Sequence, residues 1–266
     1  MKVWVLNCKH AKDRRDRISK ALDKEGVDYT IHEALYWRDE DFLDNLDKHK
    51  MNVYDKWNST TYKDDLPSNV NYHVTEWYDR GIRKGEAAVC ASTILMLESM
   101  LETPDEYFFA LQDDATWREG EISRLINLIE EDVKNIPVVK LADMLWLAGN
   151  NVDYRGSDIP IKENWSIPRF TYNAHAIVYS RKGIINILNS GIKKTLMSYD
   201  EYLNILHETS YRTDIIKDIK PKTFRPLKLR VSEDTIWQEC PLDEQVEWVE
   251  RKGYSSDIID SDTFEE

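Results

Sequence analysis

Two adjacent carboxylates, Asp113 and Asp114, follow directly on the apolar run Tyr107-Phe108-Phe109-Ala110-Leu111, with Gln112 between. A short, continuous apolar run bounded by polar residues reads as a buried strand. In open α/β sheets, ligands bind outside the carboxyl ends of the strands, which is where this acid pair falls. Neighbouring side chains on a strand face opposite ways, but where the backbone turns at a strand exit both can reach one ligand. A pair of oxygen donors there suits Mn²⁺ or Mg²⁺ shared with a diphosphate. Such an ion assists a leaving nucleoside diphosphate as a Lewis acid. The competing reading is a plain turn or helix cap, for which Asp is equally suited.

The surrounding pattern supplies the elements that would position these acids. Residues 2–7 read as a strand, 13–24 as a helix ending at Gly26, and 28–34 as a second strand. The spacing predicts a helix over 87–101, a strand over 106–111 and a helix over 120–133. A strand over 144–148, one over 174–179 and a helix over 181–189 follow. Strands alternating with helices imply an α/β fold with a mostly parallel central sheet and helices on both faces. Residues 36–83 are polar and aromatic with weak periodicity, and read as an insertion of short helices and loops over one end of the sheet. Its many Trp and Tyr are expected mainly to pack, although such rings also stack on sugars or bases. The chain divides into a single domain over 1–230 and an acidic C-terminal segment over 231–266.

The formal charge of −13 is concentrated at that end, where residues 231–266 carry twelve Asp and Glu against Arg251 and Lys252. Upstream, the basic run Lys217, Lys220, Lys222, Arg225, Lys228 and Arg230 reads as a charged connector, or as a contact for a diphosphate through Lys228 or Arg230. A nucleic-acid partner is not expected, because the broad basic surface of such proteins is missing. No apolar stretch approaches the roughly 18–20 residues that span a bilayer. The start, with a short apolar run followed at once by charges, lacks the features of a secretory signal. Three widely spaced cysteines, Cys8, Cys90 and Cys240, argue against a disulfide framework or thiolate zinc site. A cytoplasmic protein with reduced thiols is expected.

Four segments, in order over roughly residues 1–205, carry a family resemblance. VLNCKHAKDRRDRI resembles the opening I-N-L-x-x-x-x-x-R-R of glycosyltransferase family 25, with Asn7 and Arg14 on matching positions. KGEAAVCAST resembles its K-G-E-x-x-x-x-x-S-H helix start, matching Gly85, Glu86 and Ser92. YFFALQDDA resembles its A-L-I-L-E-D-D strand end, matching Asp113 and Asp114. NAHAIVYSRKGIINIL, followed by MSYDEYL, resembles its G-x-H-A-Y-L-I-S-K-K-G stretch and later V-D-x-x-L. That segment matches His175, Ala176, Ser180, Lys182, Gly183 and Asp200. The family includes lipooligosaccharide glycosyltransferases and procollagen galactosyltransferase domains. The resemblance implies a GT-A type fold, a UDP-sugar donor, Mn²⁺ dependence, inversion at the anomeric carbon, and a glycan or hydroxylated acceptor. Two positions depart from the pattern: Gln112 replaces Glu, and Thr93 replaces His.

On this basis Asp200 is the candidate general base, with Glu201 its neighbour and rival, since inverting transfer needs a base at the acceptor hydroxyl. Asp200 is also what a helix N-terminus favours through its dipole. Asn7 and Arg14 are candidates for the nucleotide, an Asn amide for base or ribose and an Arg for phosphate or a stacked ring. Their plain alternatives are a turn residue and a solvated cation. Glu86 is a further nucleotide candidate at a position where an acid stabilises a helix start anyway. Asp113 is assigned to both nucleotide and metal, and Asp114 and His175 to the metal. A lone His is otherwise a structural residue. Two other functions stay open: transfer to modified DNA bases, and a non-catalytic sugar-nucleotide-binding module, which the departures at 112 and 93 would favour.

Overall fold

The computed structural model describes residues 1–66, 77–151, 158–162, 164–230 and 236–238. In chain order the elements are β1 (Val3–Cys8), α1 (Lys12–Lys24), β2 (Tyr29–Ala34), α2 (Phe42–Lys48), α3 (Lys84–Leu101), β3 (Tyr107–Gln112) and β4 (Ala115–Trp117). Next come α4 (Glu121–Asn135), α5 (Pro137–Lys140), β5 (Met144–Trp146), β6 (Asn150–Asn151), β7 (Ile159–Lys162), β8 (Trp165–Ile167) and β9 (Thr171–Tyr172). The chain continues with β10 (Ala176–Ser180), α6 (Arg181–Leu188), α7 (Tyr199–Leu206), α8 (Thr213–Ile219), β11 (Pro226–Leu229) and β12 (Ile236–Gln238).

Eight strands form one sheet in the order β2-β1-β3-β10-β5-β11-β8-β7. The α/β class expected from the sequence is present, but the sheet is mixed rather than mostly parallel. β1 runs parallel to β2 and β3, and β5 to β11, whereas β10 opposes both β3 and β5, and β8 opposes β11 and β7. A parallel neighbour needs a crossover, usually a helix. Among the described residues no helix lies between β5 and its neighbour β10. The reversed strand starts where β3 ends, with Ala176 opposite Leu111.

Strand alternation divides the core into two layers. Val3 and Val5 of β1, Phe109 and Leu111 of β3, and Val178 of β10 face α1 and α4, packing on Ile18, Leu22, Ile122, Leu125 and Ile129. Trp4, Leu6, Phe108, Ala110, Ile177 and Tyr179 face the other side, against α3, α6 and α7. β1, β3 and β10 are thus buried on both faces, which explains their continuous apolar runs. Ser180 caps α6, its Oγ accepting from the Gly183 N–H at 3.0 Å. A β-carbon on Gly183 would lie 1.8 Å from the Asp143 carbonyl oxygen, so only glycine lets this helix reach the sheet.

The described part of the aromatic segment is anchored by a cation from far downstream. Arg212 is fully buried, with its guanidinium over the rings of Trp57 (4.8 Å), Tyr62 (4.7 Å) and Tyr78 (5.7 Å). Two parallel 2.9 Å bonds run from its Nε and Nη2 to Asp214. Lys56 and Tyr54 both bind Asp218 of α8, tying the same two regions together again. Residues 67–76 lie outside the described residues, as does the acidic C-terminal segment except for β12, which pairs with β4. The basic run is no loose connector: it includes β11, an inner strand whose Lys228 pairs with Asp158 at 3.1 Å. Removing one partner of a buried ion pair costs about 3–5 kcal/mol. Arg212→Met is expected to lose stability of that order in urea denaturation, and a loss below about 1 kcal/mol would remove its role as the anchor.

Candidate functional site

The carboxyl edge of β1 and β3 gathers the acid pair and its partners. Asn7 and Asp113 continue the parity of Val5 and Leu111, so both turn towards α1. There the Asn7 amide donates to Asp113 Oδ2 at 2.6 Å and to the Ala11 carbonyl at 3.2 Å. From α1, Arg14 approaches Asp113 Oδ1 at 3.5 Å. Arg17, one turn further on the same face, donates to the Asp113 and Ala115 carbonyls at 2.6 and 3.1 Å. Arg17 was missed by sequence reasoning, although its spacing of three from Arg14 put it on that face. Burial pushes the Asp113 carboxyl up to about 6; Asp114 raises it further, while Arg14, Asn7 and Arg17 oppose the rise.

Asp114 belongs to the other side of the edge. Its charge bears on His175 and on Asp200, groups contributed by the start of β10 and the first turn of α7. The reversed strand is what brings His175 here; the Gln112 N–H donates to its carbonyl at 3.0 Å. His175 is buried and held below its ordinary pKa by desolvation, and its Nε2 has no hydrogen-bond partner among the described residues. Asp200 is half-buried, and its Oδ2 accepts the Asn173 N–H at 3.1 Å. Desolvation raises its carboxyl to about 6, with backbone donors at Asn173 and Ala174 opposing and Asp114 adding to the rise.

Asn173 was also missed. It adopts φ +72°, in the left-handed region where Asn is one of the few tolerated residues. Its carbonyl accepts from Trp146 Nε1 at 2.8 Å. Gln112 and Thr93, the two departures from the family pattern, line one small cavity beneath the edge with Ala174 and Tyr199.

Other expected residues are already engaged. Glu86 stands in the first turn of α3, which begins three residues earlier than the pattern suggested. It takes paired bonds from Arg80 at 2.6 and 2.8 Å and the Arg83 N–H at 2.9 Å, which accounts for its burial. Asn7 likewise spends its amide on Ala11 and Asp113. Glu201, the rival base, is fully buried and surrounded by hydroxyl donors. The expected metal trio of Asp113, Asp114 and His175 is not assembled as one ligand set. Among the described residues, no group of three or more His, Cys, Asp or Glu side chains is placed to hold a metal ion. The physical reason is alternation: Asp113 is drawn to Asn7 and Arg14 on the α1 side, leaving Asp114 with His175 and Asp200. A divalent ion that takes most of its ligands from phosphates needs only one or two protein carboxylates. Asp114 fits that smaller role, since a cation there would offset the mutual repulsion it shares with Asp113 and Asp200.

This α/β architecture, with acids from the β3 exit and from α7 at one strand edge, can be set beside known proteins. Residues 1–199 match the family model described as glycosyltransferase family 25 (LPS biosynthesis protein). The chain belongs to glycosyltransferase family 25. It is 22% identical over 235 residues to procollagen galactosyltransferase 1-B of Xenopus laevis, which covers 85% of this chain and 35% of that protein. The chain thus spans about a third of that relative's length. Among solved structures, it is similar to a glycosyltransferase involved in glycosylation of the major capsid of PBCV-1. That match has 9% identity and TM-score 0.41, covering 92% of this chain and 96% of the other. It is also similar to galactosyltransferase LgtC in complex with donor and acceptor sugar analogues, at 11% identity and TM-score 0.37, covering 87% of each chain. No helix among the described residues is long and apolar enough to cross a membrane.

The two raised carboxyls fix a sign for stability against pH. Both Asp113 and Asp200 sit at about 6 in the folded chain against an ordinary 3.8. Between those values the folded state holds more protons than the unfolded one, so these groups make stability fall as pH rises through the window. Asp200→Asn is expected to flatten that fall and to be more stable than wild type at pH 7. Urea denaturation from pH 4 to 7 reads this, and an unchanged slope would overturn the assignment of Asp200.

Proposed function

We propose that this chain is a metal-assisted glycosyltransferase of the GT-A type that moves a hexose, galactose or glucose, from a UDP-sugar to a glycan or hydroxylated acceptor with inversion. The observation that carries the reading is that Asp114, at the β3 exit, and Asp200, bonded to the entry turn of β10, lie at one strand edge. They come from different elements, yet lie close enough for one charge to raise the other's pKa. Family membership supplies the sugar-nucleotide chemistry, and the name of the Xenopus relative favours galactose.

Asp200 is the base in this reading. A carboxylate lifted to about 6 is ionised at neutral pH yet more basic than an ordinary Asp, the condition that favours general-base catalysis. It would take the proton of the acceptor hydroxyl as that oxygen attacks the anomeric carbon, while the bond to the nucleoside diphosphate breaks. Asp114 would hold Mn²⁺ or Mg²⁺ together with the donor diphosphate; the bound ion would supply charge neutralisation to the leaving group. Arg14, partly exposed beside Asp113, would reach the same phosphates. Asn7 and Asp113 form the buried frame that holds the β1 and β3 exits together. His175, kept neutral by burial, would offer its Nε2 to the ion or to the donor. Residues 1–230 form the catalytic domain in this reading, and a reducing, cytoplasmic setting suits Cys8 and Cys90, which form no disulfide.

Calorimetry and thermal shift with UDP, GDP, CDP and their sugars, each with and without Mn²⁺, test the reading directly, since a ligand of the native state raises Tm by mass action. A metal-dependent response to UDP-sugars is expected. Asp114→Ala should lose at least tenfold in Mn²⁺-dependent UDP affinity without unfolding, and Asp200→Asn should bind donor normally but transfer at least a hundredfold more slowly, in the usual range for a general base. Unchanged metal-dependent affinity in the first, or near-normal turnover in the second, would overturn the respective role.

A further inference from the structure

Next to Asp200 on α7 lies a carboxylate that the proposed chemistry does not use. Glu201 is fully buried. Its Oε2 accepts the Tyr172 hydroxyl at 2.7 Å, and its Oε1 accepts the hydroxyls of Tyr78, at 3.1 Å, and Ser210. Burial opposes its charge, while the hydroxyl donors and the neighbouring Arg212 favour it. A buried carboxylate costs stability unless its oxygens are paired, so an apolar side chain would do better if packing were its whole role.

What it holds is informative. Tyr172 immediately precedes Asn173, the residue whose N–H bears on Asp200. One position earlier, Thr171 is gripped by Asn204 of the same helix. Its N–H donates to Asn204 Oδ1 at 3.0 Å, and its carbonyl accepts from Asn204 Nδ2 at 2.7 Å. Three polar residues of α7, at 200, 201 and 204, therefore bind three consecutive residues, 173, 172 and 171. The ring Glu201–Tyr172–Asn173–Asp200 is closed, and two of its links lie within the chain itself. Asn173 stands at φ +72°, a conformation that persists only where its surroundings over-determine it.

We infer that Glu201 is a positioning residue for Asp200, acting through the Tyr172 hydroxyl and the Asn173 N–H. The inference rests on the reading of Asp200 as the base. Through Tyr78 the same carboxylate couples the aromatic segment to the catalytic turn, so that segment sets the geometry of the base. Its tyrosine acts as a strut from behind the site.

Tyr172→Phe tests this with the ring retained and one hydroxyl removed; Glu201→Gln is the companion variant, and Tyr172→Phe stands alone if it does not fold. The probes are UDP-galactose hydrolysis for turnover and UDP with Mn²⁺ for donor binding. In Tyr172→Phe, kcat is expected to fall at least tenfold, with donor KM and UDP affinity within twofold of wild type. Amide exchange at Asn173 should quicken at least tenfold while the amides of α6 are unchanged. On an Asp200→Asn background, Tyr172→Phe should slow turnover no further. Unchanged exchange at Asn173, or full additivity of the two substitutions, would overturn the inference. A wild-type chain that does not hydrolyse UDP-galactose would count against the donor reading alone, because exchange at Asn173 still decides the role of Glu201.

Discussion

The arrangement depends on a reversed strand in the middle of the sheet. With β10 running against β3 and β5, its entry loop must lie at the edge where β1 and β3 end. That one reversal places His175, Ala174 and Asn173 beside Asp113 and Asp114. It also lets α7, which follows on the same face, present Asp200 to them. Were β10 parallel, its start would lie at the opposite edge of the sheet, roughly 15 Å away for a strand of this length. The site is therefore a consequence of topology before it is a consequence of side-chain choice.

Alternation then separates the two adjacent acids into different work. Asp113 faces α1 and meets Asn7, Arg14 and the backbone bonds of Arg17, so its charge is framed. Asp114 faces the α7 side, and its field reaches His175 and Asp200. The result is a negative locus that favours a cation on one side, with a compensated acid on the other. Family-matched positions sort in the same way. Ser180 and Gly183 build the β10–α6 joint and Glu86 the start of α3, whereas the charges of Asp114 and Asp200 bear on each other at the strand edge. Gln112 and Thr93 line the same cavity, so the two departures from the family pattern form a single local change.

Much of the fold was legible because burial on both faces imposes continuous apolar runs, as in β1, β3 and β10. The direction of β10 was not, since an apolar run carries no polarity. The telling sign was the absence of a helical pattern between β5 and β10. β11 was hidden because Pro226 and Lys228 dominate its composition, although Leu227 and Leu229 alternate as a half-apolar strand should. The start of α3 was placed late because Gly85 and Glu86 resemble a loop; the capping bond from the Arg83 N–H to Glu86 and the Ala87 N–H bonding the Arg83 carbonyl show the helix already begun. Site residues could be named from spacing along the chain. Their partners could not, because Asn7 and Asp113 are 106 residues apart and no local pattern records such a pairing.

The aromatic segment shows how such distant pairings shape function. Its rings were expected to pack or to meet a ligand, and Trp57, Tyr62 and Tyr78 pack around Arg212. A fully buried guanidinium is tolerable because three ring faces and Asp214 replace its water, an arrangement suited to the weak hydration and planarity of Arg. The same packing fixes Tyr78, whose hydroxyl reaches Glu201. The cation at the centre of these rings thus also delimits where one hydroxyl can lie, and through Glu201 and Tyr172 that constraint reaches the turn beside Asp200. A polar network with a charge at each end is stiffer than an apolar contact of equal area, because every lost bond leaves a buried group unsatisfied. Stiffness at that point matters more than stability elsewhere, since small displacements of a base from its proton cost rate steeply.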